Sequence, residues 1–166
     1  MKEITIVCPI FNEEENIKLF IKSFDEIFIN HPNYSFSILF ADNASTDRSN
    51  EILKRICTEK KNIKYLRYAR NNGVMKSIFT AIKYIETDAC AIFDCDLQDS
   101  PKLLTDFIRN WEMGIEIVYG KRIKRKEVFF LGLLRNIFKK ISFKVRGYNI
   151  EIESGAWFLD KEVIKE

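Results

Sequence analysis

Four times along this chain a short apolar run with strand character is followed by a polar cluster and then by a segment of helical period; a fifth apolar run follows. Strands are expected at residues 4–10, 36–41, 63–68, 89–93 and 115–119, each rich in β-branched and aromatic residues and bounded by turn formers. Asn12, with Glu15 three residues on, is placed to cap a helix reaching Ile29, and Ser45-Thr46-Asp47 caps one from about Arg48 to Glu59. Asn71-Asn72-Gly73 turns into a helix ending near Ile85, and Pro101 opens another that reaches about Met113. Such regular alternation with short connections predicts an α/β fold, Rossmann-like, with a doubly wound, mainly parallel sheet and helices on both faces. A last strand at 156–159 enters a helix at 161–166 that stops abruptly. Residues 1–166 therefore read as one domain, cut short at the C-terminal end.

In a sheet of this kind the strands' carboxyl ends lie along one edge, and every polar cluster of the chain follows a strand. Asn12-Glu13, residues 42–47, Asn71-Asn72-Gly73 and residues 94–99 are thus gathered at a single crevice. Its chemistry is dominated by Asp94-Cys95-Asp96-Leu97-Gln98-Asp99. Alternation aims Asp94 and Asp96 to the same side, and two like charges this close invite a divalent cation. Mg²⁺ or Mn²⁺ suits one or two carboxylates and completes its shell with water and phosphate oxygens. The competing reading is a solvated acidic turn with Asp99 or Ser100 capping the next helix. Neither G-x-G-x-x-G nor G-x-x-x-x-G-K occurs, which removes support from dinucleotide redox chemistry and ATP hydrolysis.

Composition narrows the setting. The four cysteines, at 8, 57, 90 and 95, have no Cys-x-x-Cys spacing, and the lone His31 cannot complete a zinc site, so reduced thiols in the cytoplasm are expected. No basic region and long apolar core precede the first strand, and the longest apolar run, 128–134, is too short to span a bilayer. Net charge is +3, yet residues 121–146 hold ten basic side chains against one acid, interleaved with Phe129, Phe130, Leu133, Ile137, Phe138 and Ile141. That basic amphipathic segment either packs on its own sheet or lies on an anionic membrane; in the second case the chain would sit peripherally at the inner membrane face. No nucleic-acid partner is expected.

Four motifs in order, each after its own strand, carry a family resemblance: Cys8-Pro9-Ile10-Phe11-Asn12-Glu13-Glu14; Ala41-Asp42-Asn43-Ala44-Ser45-Thr46-Asp47; Arg70-Asn71-Asn72-Gly73; and Asp94-Cys95-Asp96-Leu97-Gln98-Asp99-Ser100-Pro101. The chain resembles family 2 inverting glycosyltransferases of the GT-A fold, above all their polyprenyl-phosphate sugar transferase branch. The resemblance implies transfer of a hexose from a UDP- or GDP-sugar to a polyprenyl phosphate or growing glycan, assisted by Mg²⁺ or Mn²⁺. It implies that Pro9, Asn12 and Glu13 shape the base and ribose pocket, that Asp42 hydrogen-bonds the nucleotide, and that Asn71 and Gly73 border it. Asp94 would lie near the donor sugar, Asp96 with Asp94 would hold the metal, and Gln98 would sit beside both. The catalytic base would be Glu153, with Glu151 as fallback, and Arg122 would grip the acceptor phosphate. Departures are Asn43 and Ala44 for the usual Asp and Gly, Glu153 for Asp, and Phe158 where an acceptor-side arginine is usual. Two other classes compete: a catalytically silent nucleotide-sugar-binding or assembly module of the same fold, and a haloacid-type phosphatase with Asp94 as nucleophile.

Overall fold

The computed structural model describes residues 1–121 and 154–165. Its elements are β1 (Lys2–Ile10), α1 (Ile17–Asn30), β2 (Tyr34–Asp42), α2 (Ser49–Glu59), β3 (Ile63–Arg67), α3 (Val74–Ile82), β4 (Ala89–Ile92), α4 (Leu103–Glu112), β5 (Ile117–Lys121), β6 (Ser154–Asp160) and α5 (Lys161–Lys165). The six strands form one sheet in the order β3-β2-β1-β4-β6-β5. β1 runs parallel to β2 and β4, and β2 to β3, whereas β6 lies antiparallel between β4 and β5. This is the mixed α/β architecture that the alternation predicts, and the antiparallel insertion is the feature that periodicity does not disclose.

Strand alternation divides the core into two layers. Ile4, Ile6, Cys8 and Ile10 of β1, Phe36, Ile38 and Phe40 of β2, and Ala89, Ala91 and Phe93 at β4 face α1, α2 and α4. Their neighbours Val7, Leu39, Ala41, Cys90 and Ile92 face α3, with Trp157, Leu159 and Ile164 packed alongside. The thicker layer is built on aromatic edges: Phe24 meets Phe93 with centroids 5.1 Å apart and near-perpendicular rings, and Phe28 stacks on Phe36 at 4.5 Å.

One helix start differs from expectation. α1 begins at Ile17, not after Asn12, and no side chain caps it. Asn12 stands at φ 59°, and its Oδ1 accepts the Thr46 N–H at 2.8 Å and the Asp47 N–H at 3.3 Å. Short polar side chains bond nearby backbone in competing geometries, and here the neighbouring loop outbids the helix. Phe158, which stands where the family has an acceptor-side arginine, belongs to the core. It is fully buried against Phe107 and Trp111, so it is a core residue and not an acceptor-facing one; Trp157, one residue earlier, faces the opposite layer. Among the described residues no helix is long and apolar enough to cross a membrane.

Candidate active site

The loops that follow β1, β2 and β4 meet the start of α3 around a cavity of about 210 Å³ at the sheet's carboxyl edge. Pro9, Ile10, Phe11 and Glu13 form one wall, Asp94, Cys95 and Asp96 another, and Asn43, Val74 and Ser77 close it. Beyond β4 the alternation of the strand persists: Phe93 and Cys95 are buried while Asp94 and Asp96 are exposed, which puts both carboxylates in the same opening. Leu97 turns the chain at φ 59°, and the Gln98 N–H donates to Asp96 Oδ1 at 3.0 Å, fixing that side chain.

The β1–α1 and β2–α2 loops are laced together. The Asn12 N–H donates to Ser45 Oγ at 3.0 Å, the Glu13 N–H to Ser49 Oγ at 3.0 Å, and the Glu14 N–H to Asp47 Oδ2 at 3.1 Å. Arg48 returns the link, donating from its Nε and its backbone N–H to Glu14 Oε2 at 3.0 Å each. Those bonds from Arg48 hold the Glu14 carboxyl below its ordinary range. Burial works to raise Asp47, but hydrogen bonds from Ser49 and the Glu14 N–H outweigh it and leave that carboxyl lowered.

Asp42 lies under this lattice, fully buried and absent from the cavity wall. Oδ1 accepts the Ser45 N–H at 2.8 Å, while Oδ2 lies 3.4 Å from Arg67 Nη1 and 3.3 Å from the Tyr65 hydroxyl. Arg67 also donates to the Ser45 carbonyl at 3.0 Å. Its carboxylate is thus committed to the loop that carries Asn43. Asn43 takes the wall position itself: its Nδ2 donates to Asn71 Oδ1 at 2.7 Å, and its Oδ1 accepts the Asn72 N–H at 2.9 Å. Asn71 Oδ1 accepts the Gly73 N–H as well, and Gly73 turns at φ 85° into α3.

Of the residues singled out in the sequence, Pro9, Glu13, Asp94 and Asp96 are brought together in the cavity. Asn12, Asp42, Asn71 and Gly73 form the framework around it, and Gln98 orients Asp96 through its backbone. Glu153, Glu151, Arg122 and most of the basic segment 121–146 fall outside the described residues. None of Ile10, Phe11, Asn43, Val74, Ser77 and Cys95 is named as a wall residue from the sequence. Ser77 is one turn into α3, and the small side chain there was the available signal. Cys95 faces inward between the two aspartates. Burial, its contact with Cys95 and the charges of Asp94 and Glu13 push the Cys8 thiol well above its ordinary value.

Two aspartates present hard oxygen donors and leave the rest of a coordination shell to water or phosphate, a set that fits Mg²⁺ or Mn²⁺. Among the described residues no cluster of three His, Cys, Asp or Glu could hold a metal by itself.

Comparison with known proteins bears on the family and the fold. Residues 5–166 match the family model described as Glycosyl transferase family 2. The chain is 31% identical over 166 residues to the uncharacterized glycosyltransferase YkcC of Bacillus subtilis, covering 99% of this chain and 51% of that protein. It is 31% identical over 123 residues to the prophage bactoprenol glucosyl transferase homolog of Escherichia coli K12, covering 74% of this chain and 40% of that one. The chain thus spans about half the length of the curated relatives it matches. Among solved structures it resembles glucosyl-3-phosphoglycerate synthase from Mycobacterium tuberculosis, in complex with Mn²⁺, UDP and phosphoglyceric acid (TM-score 0.65, 16% identity, 97% of this chain and 56% of that one). It also resembles the mannosyltransferase PcManGT of Pyrobaculum calidifontis, in complex with GDP-Man and Mn²⁺ (TM-score 0.63, 16% identity, 98% and 45%). By its sheet order, its motif-bearing loops and its match over residues 5–166, the chain is a GT-A-fold member of glycosyl transferase family 2.

Proposed function

We propose that this chain carries the donor site of a metal-assisted, inverting hexosyltransferase that uses a nucleotide-diphosphate sugar and transfers to a polyprenyl phosphate. The observation that carries the reading is the meeting of Asp94 and Asp96 with Pro9, Glu13 and Asn43 in one opening at the carboxyl ends of the sheet's parallel strands. Asp94 and Asp96 would hold Mg²⁺ or Mn²⁺, which supplies positive charge against the diphosphate that leaves with the nucleotide. Pro9 and Phe11 offer an apolar wall to the base, and Glu13 reaches the ribose side. Asn71 and Gly73, tied through Asn43, set the border of the nucleotide pocket. Asp42 acts by holding the Asn43 loop, since its oxygens are already engaged beneath it.

A hydroxyl acceptor needs a carboxylate to take its proton, the role assigned to Glu153 with Glu151 as fallback. A phosphate acceptor is already anionic at neutral pH and needs cations, which favours Arg122. The named function of bactoprenol glucosyl transferase relatives in bacteria and their phages supports the second acceptor. Contact of the basic segment 121–146 with an anionic membrane would bring the two together.

Thermal unfolding with UDP, GDP and their sugar conjugates, with Mn²⁺ and again with chelator, tests the reading, because a ligand that binds the native state raises the midpoint by mass action. A metal-dependent rise with one nucleotide is expected and identifies the base. Asp96→Asn is expected to keep the unliganded midpoint and lose the metal-dependent rise. A rise that survives both chelator and this substitution refutes the metal site.

A further inference from the structure

We propose that the outer face of α3 docks on an anionic lipid surface and holds the mouth of the cleft against it. The proposal rests on the lipid-acceptor reading for its purpose and on the helix's own chemistry for its location. Ser77, Ala81 and Ile82 face the sheet. Met75 and Phe79, four residues apart and therefore on one side of the helix, stand 54% and 61% exposed, and Tyr84 just beyond is 66% exposed. Exposing such side chains to water adds nothing to folding, whereas an apolar stripe beside cations is the pattern of a helix lying in a lipid interface.

Charge identifies the occupant. From Arg70 to Ile85 the chain carries Arg70, Lys76 and Lys83 and no acid; Glu86 and Asp88 come only after the far end of the helix, away from the cleft. Lys76 and Lys83, two turns apart, border the Met75–Phe79 stripe, and lysine stems lie along apolar surface while their ammonium groups reach phosphate head groups. The sheet continues the same side of the molecule. Tyr119 contacts the Trp157 ring at 5.5 Å, Trp157 packs in the α3 layer, and Ile117 pairs in register with Leu159 of that layer. Ile117 and Tyr119 are half exposed there. Asp94 and Asp96 keep the parity of Ile92, which also belongs to the α3 layer, and Val74 lines the cavity. A surface held by α3 is therefore adjacent to the opening where sugar would be transferred.

Co-sedimentation of the whole chain with phosphatidylcholine vesicles, plain or containing about a quarter phosphatidylglycerol, tests this. Residues 121–146 keep all their charges in every variant. Wild type is expected to sediment with the anionic vesicles. Met75→Ser with Phe79→Ser is expected to lower the partition about tenfold, and Lys76→Gln and Lys83→Gln about fivefold each. Leu19→Ser, an exposed apolar residue of α1 on the opposite layer, is expected to change nothing. A cooperative unliganded thermal transition at the wild-type midpoint establishes that each variant is folded, and nucleotide-dependent shifts are read separately on the same variants. Sedimentation unchanged by the α3 variants overturns the proposal in favour of another basic surface. A wild-type chain that stays in the supernatant overturns it too and leaves an acidic protein as the occupant. Loss of nucleotide shifts alone would sink the donor reading and leave the vesicle result standing.

Discussion

A carboxylate buried as fully as Asp42 must be satisfied by its neighbours, because solvent cannot reach it. Removing it leaves the Ser45 N–H without its acceptor and takes the carboxylate from Arg67, which keeps its bond to the Ser45 carbonyl. Asp42→Ala is therefore expected to cost about 3 kcal/mol in urea unfolding. Nucleotide affinity should fall with it, through the Asn43 loop, and recover in part when stabilising osmolyte is added; affinity lost at undiminished stability would argue for direct contact. Gly155 poses a steric case. A Cβ there would lie 2.5 Å from Asp99 Oδ1 and 2.9 Å from its Cγ, and Asp99 is itself buried. Gly155→Ala is expected to cost about 1–3 kcal/mol, and much less in an Asp99→Ala background, a coupling that a double-mutant cycle measures. At this scale the sequence discloses residue type well and direction poorly. Asp94 and Asp96 were legible because strand alternation extends past β4. Asp42 shares their chemistry but occupies a position whose inward aim is set by Arg67 and Tyr65, which come from another strand. The motif comparison shows that Phe158 departs from the family's arginine, but that its ring lies in the core against Phe107 and Trp111 is decided by packing and is not legible in the motif.

Between elements, the two loops behind β1 and β2 are joined by neutral hydrogen bonds through Asn12, Ser45 and Ser49 and, in addition, by the ionised Glu14 and Asp47. Both carboxyls titrate lower in the fold than their ordinary 4.5 and 3.8. A group with a depressed folded value stabilises above its unfolded value and loses that contribution as pH falls through the folded one. The lattice is therefore expected to hold at neutral pH and to loosen below about pH 4. Glu14→Gln should flatten that acid loss, which thermal unfolding from pH 6 down to 3 would record. The gain is small, since Arg48 is largely exposed and its ion pair is screened by water. Helix and strand existence followed from periodicity, with most ends shifted by one or two residues, the usual uncertainty of caps, and the end of α3 by three, at Ile82 and not Ile85. The start of α1 did not, because Asn12 has a stronger partner across the loop than in its own helix.

For the molecule as a whole, buried thiols set an alkaline limit. Burial pushes the Cys90 thiol from 9.0 up to about 12, and Cys8 moves in the same direction. A thiol whose folded value is raised costs nothing below its unfolded value and destabilises as pH climbs past it, by about 1.4 kcal/mol per pH unit for each thiol. Unfolding free energy should then decline steadily above pH 9, and Cys90→Ala should make the decline shallower while lowering stability slightly at pH 7. Identical slopes in the two proteins would refute the assignment.

The place of β6 has a further consequence for how the chain is made. Every described wall of the cavity comes from the first hundred residues, and β1 to β4 with their helices lie together at one end of the sheet. Yet the free edge of β4 is closed only by β6, with Ala89 opposite Asp160 and Ile92 opposite Trp157. During synthesis the donor pocket can take shape on the ribosome while that edge still presents unpaired backbone groups, an open template for another strand. Long-range pairing of this kind is slow to form. The nascent chain is thus most exposed to mispairing in the interval between emergence of β4 and arrival of β6, when its binding crevice is already built.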